Sequence, residues 1–167
     1  MLQYSHMKTN IIDGKKIADD ILNRLKPEVA LLHTKSTDPK LVVVMVGEHK
    51  PSQTYIKKKQ EASEKVGIEF ALHKFPANIE KNKLIAEIKK IQKKENPSGL
   101  IIQLPLPEPL YTPEVLNAVD PSIDVDCLTS ENIGRLVMNT GFLLPPTPYA
   151  VKRILKNIDV GIKGKNI

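Results

Sequence analysis

Apolar and polar residues alternate along the chain with two different periods. Over residues 17–32 the apolar positions recur at helical spacing, which predicts a helix with Asp13 as its N-cap. Pro27 falls inside this stretch, and we expect it to kink or break the helix. The β-branched run over residues 41–46, ended by Gly47, is typical of a buried strand.

The same alternation continues to about residue 102. The pattern predicts a helix over residues 51–66 closed by Gly67, a strand over 68–75, a lysine-coated helix over 80–95 and a strand over 100–102. Two short helices are expected near residues 113–119 and 147–157. Strands separated by helices of this length require right-handed crossovers, so the predicted fold class is α/β, a three-layer α/β/α arrangement with a mostly parallel sheet.

The proline content of the chain rises around and after the third predicted strand. Nine of the 13 prolines lie between Pro97 and Pro148, which predicts rigid loops where ligands of open α/β sheets bind. Residues 161–167 resemble a turn that leads into a new strand. We therefore expect the chain to end at the beginning of a further domain.

Composition narrows the possible functions. The chain of 167 residues carries a formal charge of +6, but arginine occurs only at positions 24, 135 and 153, and tryptophan is absent. Sequence-specific nucleic-acid binding relies on arginine and aromatic side chains, so we expect no nucleic-acid partner. The single cysteine, Cys127, excludes an intrachain disulfide and is compatible with a reducing cytosol, which predicts a cytoplasmic protein. No stretch is apolar enough for a membrane span, and we expect no membrane partner.

Lys59 is the first candidate for chemistry. On a helical projection it falls on the inward stripe with Tyr55, Ala62 and Val66, with Ser52 at the edge of that stripe. A lysine there either extends its ammonium group to the surface or is held in a partly desolvated pocket beside the Tyr55 hydroxyl. The pattern alone leaves both alternatives open.

Gln103 and a pair of aspartates are the other candidates. Gln103 ends the apolar run of a strand that we expect to be central, and a buried amide there requires a ligand, a lysine or a backbone group as its partner. Asp124 and Asp126 flank Val125, so both carboxylates face one side if the segment is extended. Capping of the following residues is the alternative. No third ligand is evident nearby, so we expect no metal site.

Taken together, these motifs resemble those of one family in their residues and in their order. The resemblance is to the bifunctional methylenetetrahydrofolate dehydrogenase/methenyltetrahydrofolate cyclohydrolases, and it begins near Thr9. The matching segments are Ile-Ile-Asp-Gly-Lys at 11–15, Val-Gly at 46–47 followed by Ser52, Tyr55 and Lys59, Gly-Leu-Ile-Ile-Gln-Leu-Pro-Leu-Pro at 99–107, Asp-Val-Asp-Cys-Leu at 124–128, Asn-Ile-Gly-Arg-Leu at 132–136 and Pro-Pro-Thr-Pro at 145–148.

The resemblance implies two successive reactions in one-carbon metabolism. Methylenetetrahydrofolate is oxidised by NADP, or by NAD in some members, and the methenyl product is hydrolysed to 10-formyltetrahydrofolate. It further implies a role for each matched residue: Lys59 as the catalytic lysine, Tyr55 stacking on or bonding to folate, Gln103 holding Lys59, Ser52 supporting Lys59 or Tyr55, Leu104 and Pro105 contacting substrate, Asp126 anchoring the pterin and Thr147 as a possible cofactor contact.

Two departures from the family pattern bear on these roles. Cys127 stands where the family has glycine, so a positive φ would strain the turn and displace Asp126. Pro146 stands where the family has cysteine, and a proline-rich loop should tolerate it.

The resemblance also divides the chain. Residues 1–8 are expected to be an extra N-terminal segment, 9–158 the folate-binding catalytic domain and 159–167 the start of a truncated Rossmann-type domain. Neither NADP nor NAD is then expected to bind well to these residues, and hydride transfer should be absent or weak. The family is homodimeric through the missing domain. A non-catalytic folate-binding or dimerisation remnant is the alternative hypothesis.

Overall fold

The computed structural model, which describes residues 11–141, 143–159 and 161–166, alternates helices and strands as the pattern predicts. Every helix and strand predicted between residues 13 and 157 has a counterpart, and one helix, α5, was not predicted. The elements are α1 (Gly14–Thr34), β1 (Lys40–Val46), α2 (Lys50–Val66), β2 (Glu69–Phe75), α3 (Lys81–Glu95), β3 (Gly99–Ile102), α4 (Pro113–Leu116), α5 (Ser130–Val137) and α6 (Pro146–Asn157).

The three strands form a parallel sheet in the order β2-β1-β3. Residues 42–46 of β1 are all buried, because a strand covered on both faces needs an apolar side chain at every position. The expectation that Gln103 follows a central strand is wrong, since β1 is central and β3 pairs with one side of it. On the other side of β3, the Leu100 amide donates to the carbonyl of Ile123 at 2.8 Å.

Successive residues of β1 point to opposite faces of the sheet and enter two cores. Val44 packs in the core that includes Leu84 and Ile88 of α3, whereas Val43 packs in the core that includes Ile56 of α2. α1 contacts the outside of α2, and α6 contacts α1. These layers confirm the predicted α/β/α architecture.

The ends of the helices follow local chemistry. The Asp13 carboxylate caps α1 by accepting from the Lys16 amide at 2.9 Å, and Gly67 closes α2 at a φ of +87°, both as predicted. Pro27 lies within α1 without ending it, so the expected break does not occur. The chain turns where the Lys165 amide donates to the Ile162 carbonyl at 3.2 Å.

The strand expected to follow this turn is not formed within residues 161–166. A strand requires a neighbour for its backbone groups, and none of the three described strands pairs with these residues. The expected N-terminal extension and position 167 lie outside the described residues. Within the described part of the chain, no helix combines the length and the apolar character that crossing a membrane requires.

Candidate active site

Three separate chain segments meet beyond the carboxyl ends of β1 and β3. α2 contributes Lys59, the residue after β3 is Gln103, and the turn before α5 contributes Asp126. The carboxyl edge of a parallel sheet is where α/β proteins bind their ligands. The structure therefore brings together three of the residues that the sequence analysis selected.

Lys59 lies on the buried side of α2. It falls about 20° from Ser52 around the helix axis, and Ser52 is buried. The Lys59 side chain is 31% exposed, and its ammonium group donates to Gln103 Oε1 at 3.2 Å and lies 4.0 Å from Asp126 Oδ2. Of the two alternatives for this lysine, the structure shows the pocket.

Gln103 is bonded at both ends of its amide. Its Oε1 accepts from Lys59, and its Nε2 donates to the carbonyl of Leu104 at 2.8 Å. Two of the partners considered for this amide, a lysine and a backbone group, are thus present together. Because both ends are bonded, the amide oxygen is held toward Lys59.

The Leu104 carbonyl is a shared acceptor. Besides the Gln103 amide, it lies 3.2 Å from the Ser52 hydroxyl, which lies 2.7 Å from Nδ1 of His49. His49 was not selected from the sequence, although its position directly before α2 is a helix-capping position. Ser52 supports the loop after β3 in this arrangement, and it reaches Lys59 only through Leu104 and Gln103.

A groove adjoins this loop. It has a volume of about 400 Å³, within the range of small-molecule sites, and Leu104, Pro105 and Tyr111 are among the residues that line it. A larger groove of about 700 Å³ lies between α1 and α6, but none of the selected site residues lines it. The groove beside Leu104 begins at the residue that follows Gln103, although Gln103, Lys59 and Asp126 are not among the residues that line it.

The two aspartates have different surroundings, because residues 125 and 126 form a turn. The segment is therefore not extended, so the condition for both carboxylates to face one side is not met, and Asp124 instead bonds to the residues that follow, as in the capping alternative. Asp124 is buried and accepts from the amides of Leu128 at 3.1 Å and Thr129 at 2.8 Å. Asp124 thus orders the approach to α5, and Asp126 is the carboxylate that faces Lys59.

Burial raises the pKa of Asp126, the nearby Lys59 ammonium opposes that rise, and the charge of Asp124 adds to it. A carboxylate in this position is desolvated but close to a cation. It is therefore suited to accept hydrogen bonds from a ligand.

Asn132 completes the buried network around Asp124. Its side-chain amide donates to Asp124 Oδ2 at 3.0 Å and to the Pro121 carbonyl at 2.8 Å. Its backbone amide donates to the Thr129 hydroxyl, which caps α5. No role was predicted for Asn132, although a polar side chain three residues after a capping threonine is a helix-start signal.

Cys127 has a φ of +57° and is 1% exposed. The left-handed backbone that favours glycine is therefore present at this position, as the family pattern implied. Asp126 still lies 4.0 Å from Lys59, so the cysteine does not move the carboxylate away. Burial raises the pKa of the Cys127 thiol.

Tyr55 and Thr147 lie apart from the lysine pocket. Tyr55 is 62% exposed at the margin of α2, and its hydroxyl makes no hydrogen bond to the described residues, so the expected sharing of the pocket is not observed. Thr147 is exposed in the first turn of α6, and Pro146 is accommodated at the start of that helix. The exposed ring of Tyr55 is available for stacking.

Metal ligands are not assembled at this site. Within the described residues, no group of three or more histidine, cysteine, aspartate or glutamate side chains is placed to bind a metal ion.

The fold and the site define an α/β protein with a lysine–amide–carboxylate pocket at the carboxyl edge of a parallel sheet. Residues 12–126 match the family model described as tetrahydrofolate dehydrogenase/cyclohydrolase, catalytic domain. The chain belongs to this tetrahydrofolate dehydrogenase/cyclohydrolase family, as the sequence motifs predicted.

Individual relatives agree with the family match. The chain is 43% identical over 157 residues to the bifunctional protein FolD of Nautilia profundicola, a match that covers 94% of this chain and 55% of the relative. It also resembles the crystal structure of the bifunctional enzyme FolD from Campylobacter jejuni, with a TM-score of 0.88 and 32% identity, over 93% of this chain and 56% of that one. The chain thus spans about half the length of the curated relatives that it matches.

A further similar structure contains a cofactor. The Trypanosoma brucei dehydrogenase-cyclohydrolase, described as complexed with NADP cofactor and inhibitor, has a TM-score of 0.88 and 32% identity, over 94% of this chain and 54% of that one.

Proposed function

We propose that this chain binds a reduced folate at the lysine pocket and hydrolyses 5,10-methenyltetrahydrofolate to 10-formyltetrahydrofolate. The observation that carries the proposal is the position of the Lys59 ammonium, 3.2 Å from Gln103 Oε1 and 4.0 Å from Asp126 Oδ2. The family match, which extends over all three residues, supports it.

In the proposed reaction, Lys59 is the general base. The Lys59 amine takes a proton from a water molecule as the water oxygen bonds to the methenyl carbon, which carries the positive charge of the substrate. The bond from that carbon to N5 then breaks, its electron pair stays on N5, and N5 takes the proton from the lysine. The new hydroxyl group becomes the carbonyl of the formyl group by releasing its remaining proton to solvent. Gln103 Oε1 holds the amine in place during both proton transfers.

Asp126 orients the substrate in this proposal. A carboxylate accepts two hydrogen bonds from the edge of an aminopyrimidine ring, which favours one bound orientation. Tyr55 offers an exposed aromatic face for stacking, and Leu104 and Pro105 line the adjoining groove. The Ser52 hydroxyl supports the Leu104 carbonyl through their hydrogen-bonding contact.

The dehydrogenase step belongs to the whole protein. We propose NADP as its cofactor, with NAD as the alternative, but the chain contains no glycine-rich turn of the kind that holds a dinucleotide. The exposed Thr147 is the one candidate contact, and it does not make a dinucleotide site. We therefore assign no step to these residues through the cofactor. A homodimer of the whole protein, a cytoplasmic location and a role in purine biosynthesis are part of the same proposal.

Substitution of Lys59 tests the proposal. We expect Lys59→Ala to lower hydrolysis of methenyltetrahydrofolate by at least about 100-fold, the usual contribution of a general base. Hydrolysis is measured as the loss of substrate absorbance minus the rate without protein. Lys58→Ala is the matched control, because Lys58 is exposed on the same helix and should leave the rate unchanged.

The results separate the alternatives. Equal hydrolysis by the wild-type protein and by Lys59→Ala would exclude Lys59 as the base. Reduced-folate binding by the wild-type protein without any turnover would instead favour the non-catalytic alternative.

A further inference from the structure

His49 contacts Ser52 twice through one nitrogen, and these contacts leave open which acceptor receives the Ser52 hydroxyl proton. Its Nδ1 accepts from the backbone amide of Ser52 at 3.3 Å, which requires a lone pair on Nδ1. The same Nδ1 lies 2.7 Å from the Ser52 hydroxyl, whose oxygen lies 3.2 Å from the carbonyl of Leu104. The hydroxyl has one proton, so it can donate to His49 or to Leu104 but not to both.

The protonation of His49 decides between these two arrangements. With a lone pair on Nδ1, the imidazole accepts from both the Ser52 amide and the Ser52 hydroxyl, and the Leu104 carbonyl receives no proton from Ser52. The imidazolium carries a proton on Nδ1, which can only donate to the hydroxyl oxygen, so the hydroxyl then donates to Leu104.

The Leu104 carbonyl connects this choice to the lysine pocket. It also accepts from Gln103 Nε2 at 2.8 Å, and the other end of that amide accepts from Lys59. We propose that His49 is a positioning residue. Its protonation moves the hydrogen bond that the Ser52 hydroxyl donates from His49 to the Leu104 carbonyl, a change that we call the hydroxyl transfer, and it thereby supports Gln103 and Lys59 more firmly. This inference rests on the proposed function for its effect on substrate, whereas the hydroxyl transfer itself does not.

His49 is open to solvent and lies away from carboxylates. It is exposed at the start of α2, and among the described residues no carboxylate lies within 4 Å of its imidazole. The charged residues on the neighbouring elements are Glu48 and Lys50 beside it, Lys59 on α2 and Glu108 in the loop after β3. The Glu48 carboxylate is bonded to the Gln53 side chain at 2.6 Å.

A titration without ligand tests the hydroxyl transfer. We expect the Ser52 backbone amide and the Gln103 side-chain amide to shift together in ¹H–¹⁵N NMR spectra between about pH 5 and 8, the range in which histidines titrate. His49→Asn should abolish both shifts, because asparagine caps a helix but does not titrate in this range. His73→Asn is the control. His73 lies on β2 and contacts Glu95 on α3, so its replacement should leave both shifts in place.

Three results would overturn the inference: a shift of Ser52 without Gln103, unchanged shifts in His49→Asn, or a neutral imidazole whose ¹⁵N spectrum shows the proton on Nδ1. The first would mean that the change at Ser52 does not reach Gln103, and the other two would mean that the proton on His49 does not direct the Ser52 hydroxyl.

Binding of 5-formyltetrahydrofolate then tests the effect on substrate. Between pH 7.5 and 5.5, the affinity of the wild-type protein should rise about fivefold relative to His49→Asn, the effect of one hydrogen bond. An equal pH dependence in both proteins would refute the coupling to the pocket. If neither protein binds the folate at any pH, the proposed function fails, and the ligand-free titration still decides the hydroxyl transfer.

Discussion

Cys127 offers a direct test of backbone strain beside the site. A non-glycine residue in the left-handed region costs about 1–2 kcal/mol, and the φ of Cys127 is +57°. Its side chain is 1% exposed, so truncation also removes buried atoms. Cys127→Ala loses the buried sulfur and keeps the strain, whereas Cys127→Gly loses the side chain and the strain together.

The strain decides how the two variants compare. We expect Cys127→Ala to lower the free energy of unfolding by about 1 kcal/mol, the value of one buried group of that size. Glycine escapes the strain of about 1–2 kcal/mol, but it loses about 0.5–1 kcal/mol to its greater freedom in the unfolded chain and about 0.8 kcal/mol with the buried β-carbon. Cys127→Gly should thus lie within about 1 kcal/mol of Cys127→Ala, whereas without strain it would be about 1.3–1.8 kcal/mol less stable.

Urea unfolding at pH 7 measures this difference, and thermal unfolding provides a second reading. For a chain of this size, 1 kcal/mol corresponds to about 2–4 °C in Tm. If Cys127→Gly proved more than about 1 kcal/mol less stable than Cys127→Ala, the backbone at this position would not be strained, and the reasoning would fail. A change in folate affinity in Cys127→Gly would show that the strain extends to Asp126.

Two carboxylates should give opposite pH dependences of stability. Burial raises the pKa of Asp126, so its contribution to stability is present below the ordinary pKa of an aspartate and is lost as the pH rises. Asp126→Asn should therefore gain stability relative to the wild-type protein between about pH 3 and 7, while losing folate affinity. Hydrogen bonds from Lys40 and His73 lower the pKa of Glu95 against the effect of burial, so the contribution of Glu95 to stability is present at neutral pH and is lost as the pH falls. Glu95→Gln should therefore lose stability relative to the wild-type protein as the pH rises from about 3 to 7. Urea unfolding at both pH values measures each difference, and a slope of the wrong sign in either variant would contradict the burial or the ion pairs that we describe.

Most of the fold could be predicted because periodicity and end signals agree. The apolar run of β1 and the Gly67 that ends α2 mark their elements without ambiguity. α5 was missed because it has only eight residues, contains Gly134 and offers only three apolar positions, Ile133, Leu136 and Val137, too few to mark a helix by periodicity. Pro27 was expected to break α1, but the sequence pattern does not reveal that a helix can continue through a proline on its exposed side.

The site could be predicted only in part. Lys59 and Gln103 each break an apolar pattern, and that local irregularity is visible in the sequence. The different roles of Asp124 and Asp126 depend on a turn whose direction is set by Leu128, Thr129 and Asn132 together, so spacing alone could not assign them. The contacts of His49 with Ser52 and of Ser52 with Leu104 depend on rotamers and on residues 52 positions apart, which no local pattern encodes.

The turn beside β3 has a consequence for self-association. The bond from the Leu100 amide to the Ile123 carbonyl covers part of a strand edge that would otherwise offer its backbone to another molecule. The same short turn carries Asp126, so the segment that places this carboxylate beside Lys59 is also the one that shields the sheet. Opening it would free a strand of four buried residues, Gly99–Ile102, whose apolar character favours pairing between molecules. A ligand that holds Asp126 in place would therefore protect the protein against aggregation.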